Sequence, residues 1–235
     1  MKTRETLKFF RLIKNRKNSE RDYIAFQEFQ AGKVLENISK HYTLKGKTML
    51  DLGCGRGGYT KIFKKAGAKV ISLDLEIPQV KKIFPAFVNG DAIKLPFKDN
   101  SFDFIFSSSL IEHLPKPYLL VKEARRVLKK NGIFFLSFPP FYTPVGGHQF
   151  KPFNMFLPEK AAAFAARKLY GIRSYKYNDS YGKLYIITIR KAKKLIADAG
   201  LKIIRTKTRF SWINFSKIPL LNEVMTWHVE FYLKK

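Results

Sequence analysis

The chain has 235 residues, of which 46% are hydrophobic, enough for one α/β domain with an appended or inserted cap. No apolar run approaches the ~18 residues of a membrane span, no signal-peptide core is visible, and the single cysteine excludes intrachain disulfides and a cysteine-based metal cluster. Basic residues number 45 against 18 acidic ones, which gives a net charge of +27. Such a charge either attracts nucleic acid, anionic lipid or acidic substrates, or it only reflects the general amino-acid usage of the source organism. We expect a cytoplasmic protein, and attachment to the periphery of a membrane stays open.

Residues 1–46 are predicted to form a basic arm followed by a helix. Basic side chains are interspersed with apolar ones in residues 2–21, including Leu7 and Phe10. This segment fits either an amphipathic helix lying on a membrane or an RNA backbone or a frayed or docked arm, and we favour the arm. Apolar residues at helical spacing over 23–41 predict a helix that packs at the edge of a sheet.

The stretch from Met49 to Thr60 organises the rest of the chain. Residues 47–52 are predicted to form a buried strand and residues 59–65 a helix, and the loop between them is rich in glycine. A strand, a glycine loop and a helix N-terminus form a nucleotide-binding unit of Rossmann type. Asp51 precedes the first glycine by two residues, where a carboxylate would repel a pyrophosphate. The loop therefore suits a ligand that brings a positive charge or amine donors.

Strands and helices alternate after this loop, which predicts a parallel sheet covered on both faces. The next strand, residues 69–74, ends at Asp74, about twenty residues beyond the loop, where a Rossmann-type unit places the carboxylate that binds ribose hydroxyls. Further strands are predicted over 85–90, 100–109 and 133–138. A helix over 117–130 is expected to end at Asn131 and Gly132.

Five motifs in order make the chain similar to a known family. Besides the glycine loop with Asp74, these are Gly90-Asp91-Ala92, Leu95-Pro96-Phe97, Ser101-Phe102-Asp103 and Glu112-His113-Leu114. Over residues 47–138 the chain resembles class I S-adenosylmethionine (SAM)-dependent methyltransferases, and most closely the subgroup that methylates quinones, sterols and sugars. The resemblance implies a Rossmann-like, seven-stranded, mostly parallel sheet with helices on both faces and an inserted cap.

The resemblance also implies the residues of a cofactor site. Asp51 would orient the loop and meet the methionine amino group, the loop glycines would let the backbone approach SAM, Asp74 would bind the ribose and Asp91 the adenine amino group. Leu75 would pack on the adenine, Ala92 would offer a backbone contact, and the end of the fourth strand would lie beside the methionine. The expected cofactor residues are Asp51, Gly53, Gly55, Gly57, Asp74, Leu75, Asp91, Ala92, Ser107 and Ser108.

Methyl transfer from a sulfonium asks for little catalytic machinery, because the carbon is already activated. The enzyme aligns donor and acceptor, excludes water and, for a hydroxyl or amine acceptor, accepts a proton. His113 and His148 are candidate bases, although a structural role is at least as well supported for each. No metal site is predicted. The position of Cys54 in the loop argues against methylation at a pyrimidine C5, which needs a cysteine nucleophile.

Residues 139–187 interrupt the alternating pattern and are predicted to form an inserted substrate cap. The segment is rich in aromatic residues, contains a predicted helix over 158–170, and would hang over the carboxyl ends of the strands, where ligands bind in such sheets. Residues 188–235 are expected to complete the sheet, with Thr188 as a helix N-cap and a last strand antiparallel to the sixth. Arg205, Lys207 and Arg209 alternate on the sixth strand, either as a solvated face or as an anion contact.

The expected function is methyl transfer from SAM to an oxygen, nitrogen or carbon atom of an undetermined small or lipid-linked molecule. Two alternatives stay open. RNA methylation is favoured by the net charge and the basic N-terminal segment, and it predicts binding that weakens steeply with salt. A SAM-binding protein without catalytic activity is the other. Expected partners are thus the acceptor and, through the basic charge, RNA or an anionic membrane surface.

Overall fold

The computed structural model describes residues 3–77, 81–84, 86–170, 184–209, 215–219 and 221–235. Its strands are β1 (Thr48–Leu52), β2 (Lys69–Asp74), β3 (Phe87–Asn89), β4 (Phe102–Ser108), β5 (Leu128–Phe138), β6 (Lys202–Arg209) and β7 (His228–Lys234). Its helices are α1 (Thr3–Asn15), α2 (Glu20–Ser39), α3 (Gly58–Lys65), α4 (Pro117–Val127), α5 (Glu159–Tyr170), α6 (Ile189–Asp198) and α7 (Leu221–Met225).

All seven strands form one sheet in the order β3-β2-β1-β4-β5-β7-β6. Strands β1 to β5 are parallel, and β7 is antiparallel to both β5 and β6. The predicted Rossmann-like sheet and its antiparallel last strand are therefore confirmed. The strand order reverses between β1 and β4, and ligands of such sheets bind at the carboxyl ends of the strands beside this point.

Helices cover both faces of the sheet, because its central strands carry apolar side chains on both sides. On one face, Leu50 and Ile105 pack in a buried cluster with residues of α4 and α6. On the other face, Met49 and Phe106 pack in a second cluster with residues of α2 and α3. The N-cap of α6 is Thr188, whose side chain accepts a hydrogen bond from the Lys191 N–H, as predicted.

The boundary between α4 and β5 differs from the prediction. The helix ends at Val127, and β5 runs from Leu128 through Asn131 and Gly132 instead of starting after them. Leu128 is fully buried and pairs with Phe102, with a register shift before the next pair. A Cβ at Gly132 would lie 2.7 Å from the Leu128 side chain, so this glycine serves close packing of a strand and not a helix end.

The predicted basic arm at the N-terminus is the helix α1, docked on α2. The Phe9 ring packs against Phe26 and Phe29, with ring centroids 6.3 and 6.1 Å away, and Lys33 Nζ lies 2.6 Å from Glu5 Oε1. Among the described residues, no helix combines the length and the hydropathy that crossing a membrane requires.

Loops and α5 follow β5 and form a small unit with its own apolar cluster. Phe141, Phe150, Ala162, Ala166 and Leu184 are its buried members. The Asn154 side chain donates hydrogen bonds to the carbonyl oxygens of Phe141 and Thr143, at 2.6 and 2.9 Å, and thereby fixes the first loop. Residues 171–183 of the predicted cap lie outside the described residues, so the full extent of the cap stays a prediction.

Candidate cofactor and acceptor site

The glycine loop between β1 and α3 has the backbone conformation that its composition predicts. Gly53, Gly55 and Gly57 have φ angles of 70°, 51° and 81°, a region that favours glycine. A Cβ at Gly57 would lie 2.7 Å from the side chains of both Ile83 and Phe84, so the third glycine is needed for space as well as for conformation.

Asp74 ends β2 and holds the glycine loop in place. Its Oδ2 accepts a hydrogen bond from the Gly55 N–H at 2.8 Å, and its Oδ1 accepts one from the Glu76 N–H at 3.1 Å. Each carboxylate oxygen can accept a further hydrogen bond, as ribose binding would require. The neighbouring Leu75 side chain is 65% exposed, which leaves its surface available to an adenine ring.

Asp51 lies beneath the loop in a buried polar group. Thr60 Oγ1 donates a hydrogen bond of 2.6 Å to Asp51 Oδ2 and lies 2.9 Å from Ser72 Oγ. Burial raises the pKa of Asp51 to about 7, the negative charge of Asp74 adds to this, and the Thr60 hydrogen bond opposes it. A cationic ligand nearby would favour the ionised carboxylate.

The raised pKa of Asp51 has a defined consequence for stability. Because the folded protein holds this proton up to about pH 7 while the unfolded chain loses it near 3.8, the folded state binds more protons between these values. The contribution of Asp51 to the free energy of unfolding therefore falls as the pH rises from 3.8 to about 7.

Asp91 and Ala92, two further predicted cofactor residues, follow β3. The Gly90 N–H donates to the Asp74 carbonyl oxygen at 3.0 Å, which brings Asp91 and the buried Ala92 to the same edge of the sheet as Asp74. Asp91 Oδ1 accepts from the Ile93 N–H at 3.0 Å. The structure thus brings the predicted residues of β1, β2 and the following loops together, while their individual roles stay predictions.

The two serines at the end of β4 differ in environment. Ser107 is fully buried, whereas Ser108 Oγ lies 2.9 Å from Ser137 Oγ. Ser137 in turn accepts a hydrogen bond from Arg209, which also binds the buried Glu230 with Nε 2.7 Å from Oε1. The expectation that Arg209 belongs to a solvated face or contacts an external anion is therefore wrong, since Glu230 on the neighbouring strand neutralises it.

Two contacts to the glycine loop have no signal in the sequence. Gln27 of α2 accepts a hydrogen bond from the Gly58 N–H at 3.3 Å, so α2 covers the start of α3. Ile83 and Phe84 pack against Gly57 from a short turn before β3. A glutamine within a helix and apolar residues in a loop are ordinary features, and only the fold shows that they border the site.

The two histidines predicted as candidate bases lie next to each other beyond the end of β4. Their ring centroids are 5.7 Å apart, and Glu112 Oε1 lies 4.0 Å from His113 Nε2. Burial lowers the pKa of His148 to about 3, and the charges of His113, Lys151 and Arg16 act in the same direction. His148 is therefore neutral at physiological pH and a weak proton acceptor. Burial raises the pKa of Glu112 to about 8.

Comparison with known proteins agrees with the fold. Residues 50–136 match the methyltransferase domain family. An uncharacterized methyltransferase of Mycobacteroides abscessus is 28% identical over 205 residues, which cover 81% of this chain and 77% of the relative. The SAM-dependent methyltransferase of Mesorhizobium loti has a similar fold, with a TM-score of 0.62 at 17% identity over 89% of this chain and 98% of that one.

A second structural neighbour was solved with the demethylated product of SAM, S-adenosylhomocysteine (SAH). It is the magnesium protoporphyrin IX methyltransferase of Synechocystis, with a TM-score of 0.59 at 16% identity over 88% of this chain and 83% of that one. The family match and the relatives identify residues 50–136 as a methyltransferase domain, and the fold is similar to that of solved SAM-dependent methyltransferases.

Proposed function

We propose that the protein methylates a small, lipid-linked acceptor at an anionic membrane surface, with SAM held by the carboxylates and glycines at the carboxyl edge of β1 and β2. The methyl carbon forms a bond to an acceptor oxygen, nitrogen or carbon atom while its bond to sulfur breaks. The electron pair of that bond stays on sulfur, which gives SAH, and the acceptor loses a proton. Binding and alignment are the main tasks of the protein in such a displacement.

The observation that carries the choice of acceptor is a set of exposed apolar side chains on the segments that flank the site. Leu7 and Phe10 of α1 are 67% and 59% exposed, and Phe156 and Phe164 of the cap segment are 76% and 67% exposed. Exposed apolar groups beside a strongly basic surface suit the interface of an anionic membrane.

The end of α1 and the cap segment also share a basic environment. Burial lowers the pKa of Lys151, and the charges of Arg16 and Lys17, which follow α1, lower it further. Arg16 also contributes to the lowered pKa of His148. Positive charge between α1 and the candidate site supports an acceptor that carries phosphate or another anionic group.

Methyl-labelled SAM with fractionated lysate tests this proposal. We expect label in the lipid fraction, and label confined to RNA would overturn the proposal in favour of RNA methylation. An RNA substrate would also bind with an affinity that falls steeply as salt rises. Saturable SAM binding without label in any fraction would indicate a SAM-binding protein that lacks catalytic activity.

A matched pair of variants tests the membrane part separately. Leu7→Ser combined with Phe10→Ser is expected to weaken binding to vesicles of anionic lipid by on the order of tenfold or more, since each buried apolar side chain contributes about 1.5–3 kcal/mol. Ile204→Ser, at a half-exposed position of the edge strand β6, serves as the control and should bind like the parent. Equal vesicle binding by both variants would contradict a membrane role for α1.

A further inference from the structure

Glu112, His113 and His148 form a compact cluster, and none of them is among the predicted cofactor residues. One ligand atom from each residue can be chosen so that all three lie within 4.8 Å of one another. Glu112 and His113 lie on the short turn Ile111–His113 after β4, whereas His148 comes from the loop after β5. Two separate segments therefore bring donor atoms of different chemistry to one point beside the carboxyl end of β4.

The carboxylate of Glu112 is the unusual member of this cluster. Glu112 is only 1% exposed, yet no other residue in the part of the chain that the structure describes donates a hydrogen bond to either carboxylate oxygen. A buried polar group without a partner costs about 1–3 kcal/mol, and more if it is charged. Native proteins rarely keep such a group unless a ligand, an ion or a catalytic role compensates for it.

The backbone at His148 supports a specific position for its ring. Its φ angle is 46°, a left-handed conformation that is uncommon for a residue other than glycine. Gly147 before it packs so closely on the Asn154 side chain that a Cβ would lie 2.0 Å from Asn154 Cγ. The cap loop therefore holds His148 against His113 at the cost of backbone strain, as is frequent where a side chain has a functional position.

We propose that Glu112, His113 and His148 bind a divalent first-row transition metal ion, such as zinc, and leave open positions for an acceptor oxygen. Two imidazoles and one carboxylate suit zinc and its neighbours, whereas magnesium and calcium need mostly oxygen donors. Zinc lies about 2.1 Å from its donor atoms, so two donors on one zinc ion are at most about 4.2 Å apart. The three donor atoms here lie within 4.8 Å of one another, and each would need to move by less than about 1 Å to bind one ion. Three protein ligands with a remaining open position are typical of a catalytic and not of a structural metal site.

The surrounding charges define which acceptor such an ion would serve. The positive charges of Arg16 and Lys151 act on His148 and therefore also oppose a bound cation. A metal ion bound beside these two basic side chains would attract an anionic acceptor, and it would make an acceptor hydroxyl bound to the ion easier to deprotonate. This role at the acceptor rests on the proposed methyl transfer, whereas the metal site itself does not.

Titration of the tag-free protein with Co²⁺, followed by visible absorption, tests the metal site without any turnover. The parent should bind one Co²⁺ per chain, and excess Zn²⁺ should displace it. Glu112→Gln, His113→Ala and His148→Ala should each weaken binding by at least about tenfold, since even groups that only support a ligand contribute ten- to hundredfold. His41→Ala, which removes an exposed histidine outside the cluster, should bind Co²⁺ like the parent.

SAH binding by the same samples separates this proposal from the proposed function. The parent and Glu112→Gln, which keeps the size and polarity of the side chain, should bind SAH with equal affinity. A parent that binds SAH but no Co²⁺ would overturn the metal site and leave the cofactor assignment intact. Co²⁺ binding that survives in both Glu112→Gln and His148→Ala would overturn it equally, because another set of residues would then hold the ion.

Discussion

Replacement of Asp74 by asparagine probes the cofactor site with a minimal change of shape. Both carboxylate oxygens accept a backbone N–H, from Gly55 at 2.8 Å and from Glu76 at 3.1 Å. An amide nitrogen cannot accept, so one N–H and one ribose hydroxyl lose their acceptor. A hydrogen bond to a charged group contributes about 1.5–3 kcal/mol, so the affinity for SAH should fall by about tenfold to a hundredfold.

Isothermal titration calorimetry with SAH measures this loss, and Asp103→Asn provides the matched control. Asp103, at the amino end of β4, also accepts a backbone N–H, from Thr48 at 3.0 Å, and pairs with Lys129 at 3.0 Å. Asp103 lies at the amino ends of the strands, opposite to the carboxyl ends where the candidate site lies. Its replacement should therefore lower stability but change the SAH affinity by less than about twofold. Unchanged SAH affinity in Asp74→Asn, or an equal loss in Asp103→Asn, would refute the assignment of Asp74 to the ribose.

Three further variants test the surroundings of the site. The affinity of the parent for SAM should rise between about pH 6 and 8, because Asp51, with its pKa of about 7, ionises beside the sulfonium ligand. In Asp51→Asn, calorimetry should find weaker binding of SAM and no such dependence of the affinity on pH. A pH dependence that persists in this variant would contradict the role of Asp51. Gly57→Ala places a Cβ 2.7 Å from Phe84 at a φ of 81°, so thermal unfolding should show a loss of about 1–3 kcal/mol; a melting temperature equal to that of the parent would show that the loop relaxes freely. Arg209→Met leaves Glu230 as an unpaired buried charge, so urea unfolding should show that the free energy of unfolding falls by about 3–5 kcal/mol. Adding Glu230→Leu removes the unpaired charge and should restore most of this stability. A double variant as unstable as Arg209→Met alone would contradict this reasoning.

The sheet and the cofactor loop could be predicted because their signals are local. Short apolar runs mark the strands, and the spacing from Asp51 through the loop to Asp74 depends only on the geometry of one strand-loop-helix-strand unit. The observed contact between Asp74 and the Gly55 N–H follows from that unit. Sequence order alone thus carries most of the information on this half of the site.

Features that depend on distant segments could not be predicted in the same way. Asn131-Gly132 has the composition of a helix end, but the pairing of Leu128 with Phe102 overrides this local preference and extends β5. Glu112 and His113 meet His148 only because the loop after β5 folds back over the end of β4. No periodicity or spacing in the sequence encodes such a meeting.

The pairing of Arg209 with Glu230 shows a further limit. Alternation on the sixth strand groups Arg209 with Arg205 and Lys207, which suggests one basic face. The insertion of β7 beside β6 places Glu230 opposite Lys207 and diagonally across from Arg209, and the side chains of Arg209 and Glu230 are both buried. The partner that decides the role of a charged side chain is thus set by strand order, which the charges of one strand do not reveal.

Crystals of the protein soaked with SAH would show directly where the demethylated product binds. We expect SAH at the carboxyl ends of β1 and β2, with both ribose hydroxyls in hydrogen-bonding distance of the Asp74 carboxylate and the adenine amino group near Asp91. SAH bound elsewhere on the chain, or bound at these strand ends with its ribose away from Asp74, would contradict this expectation.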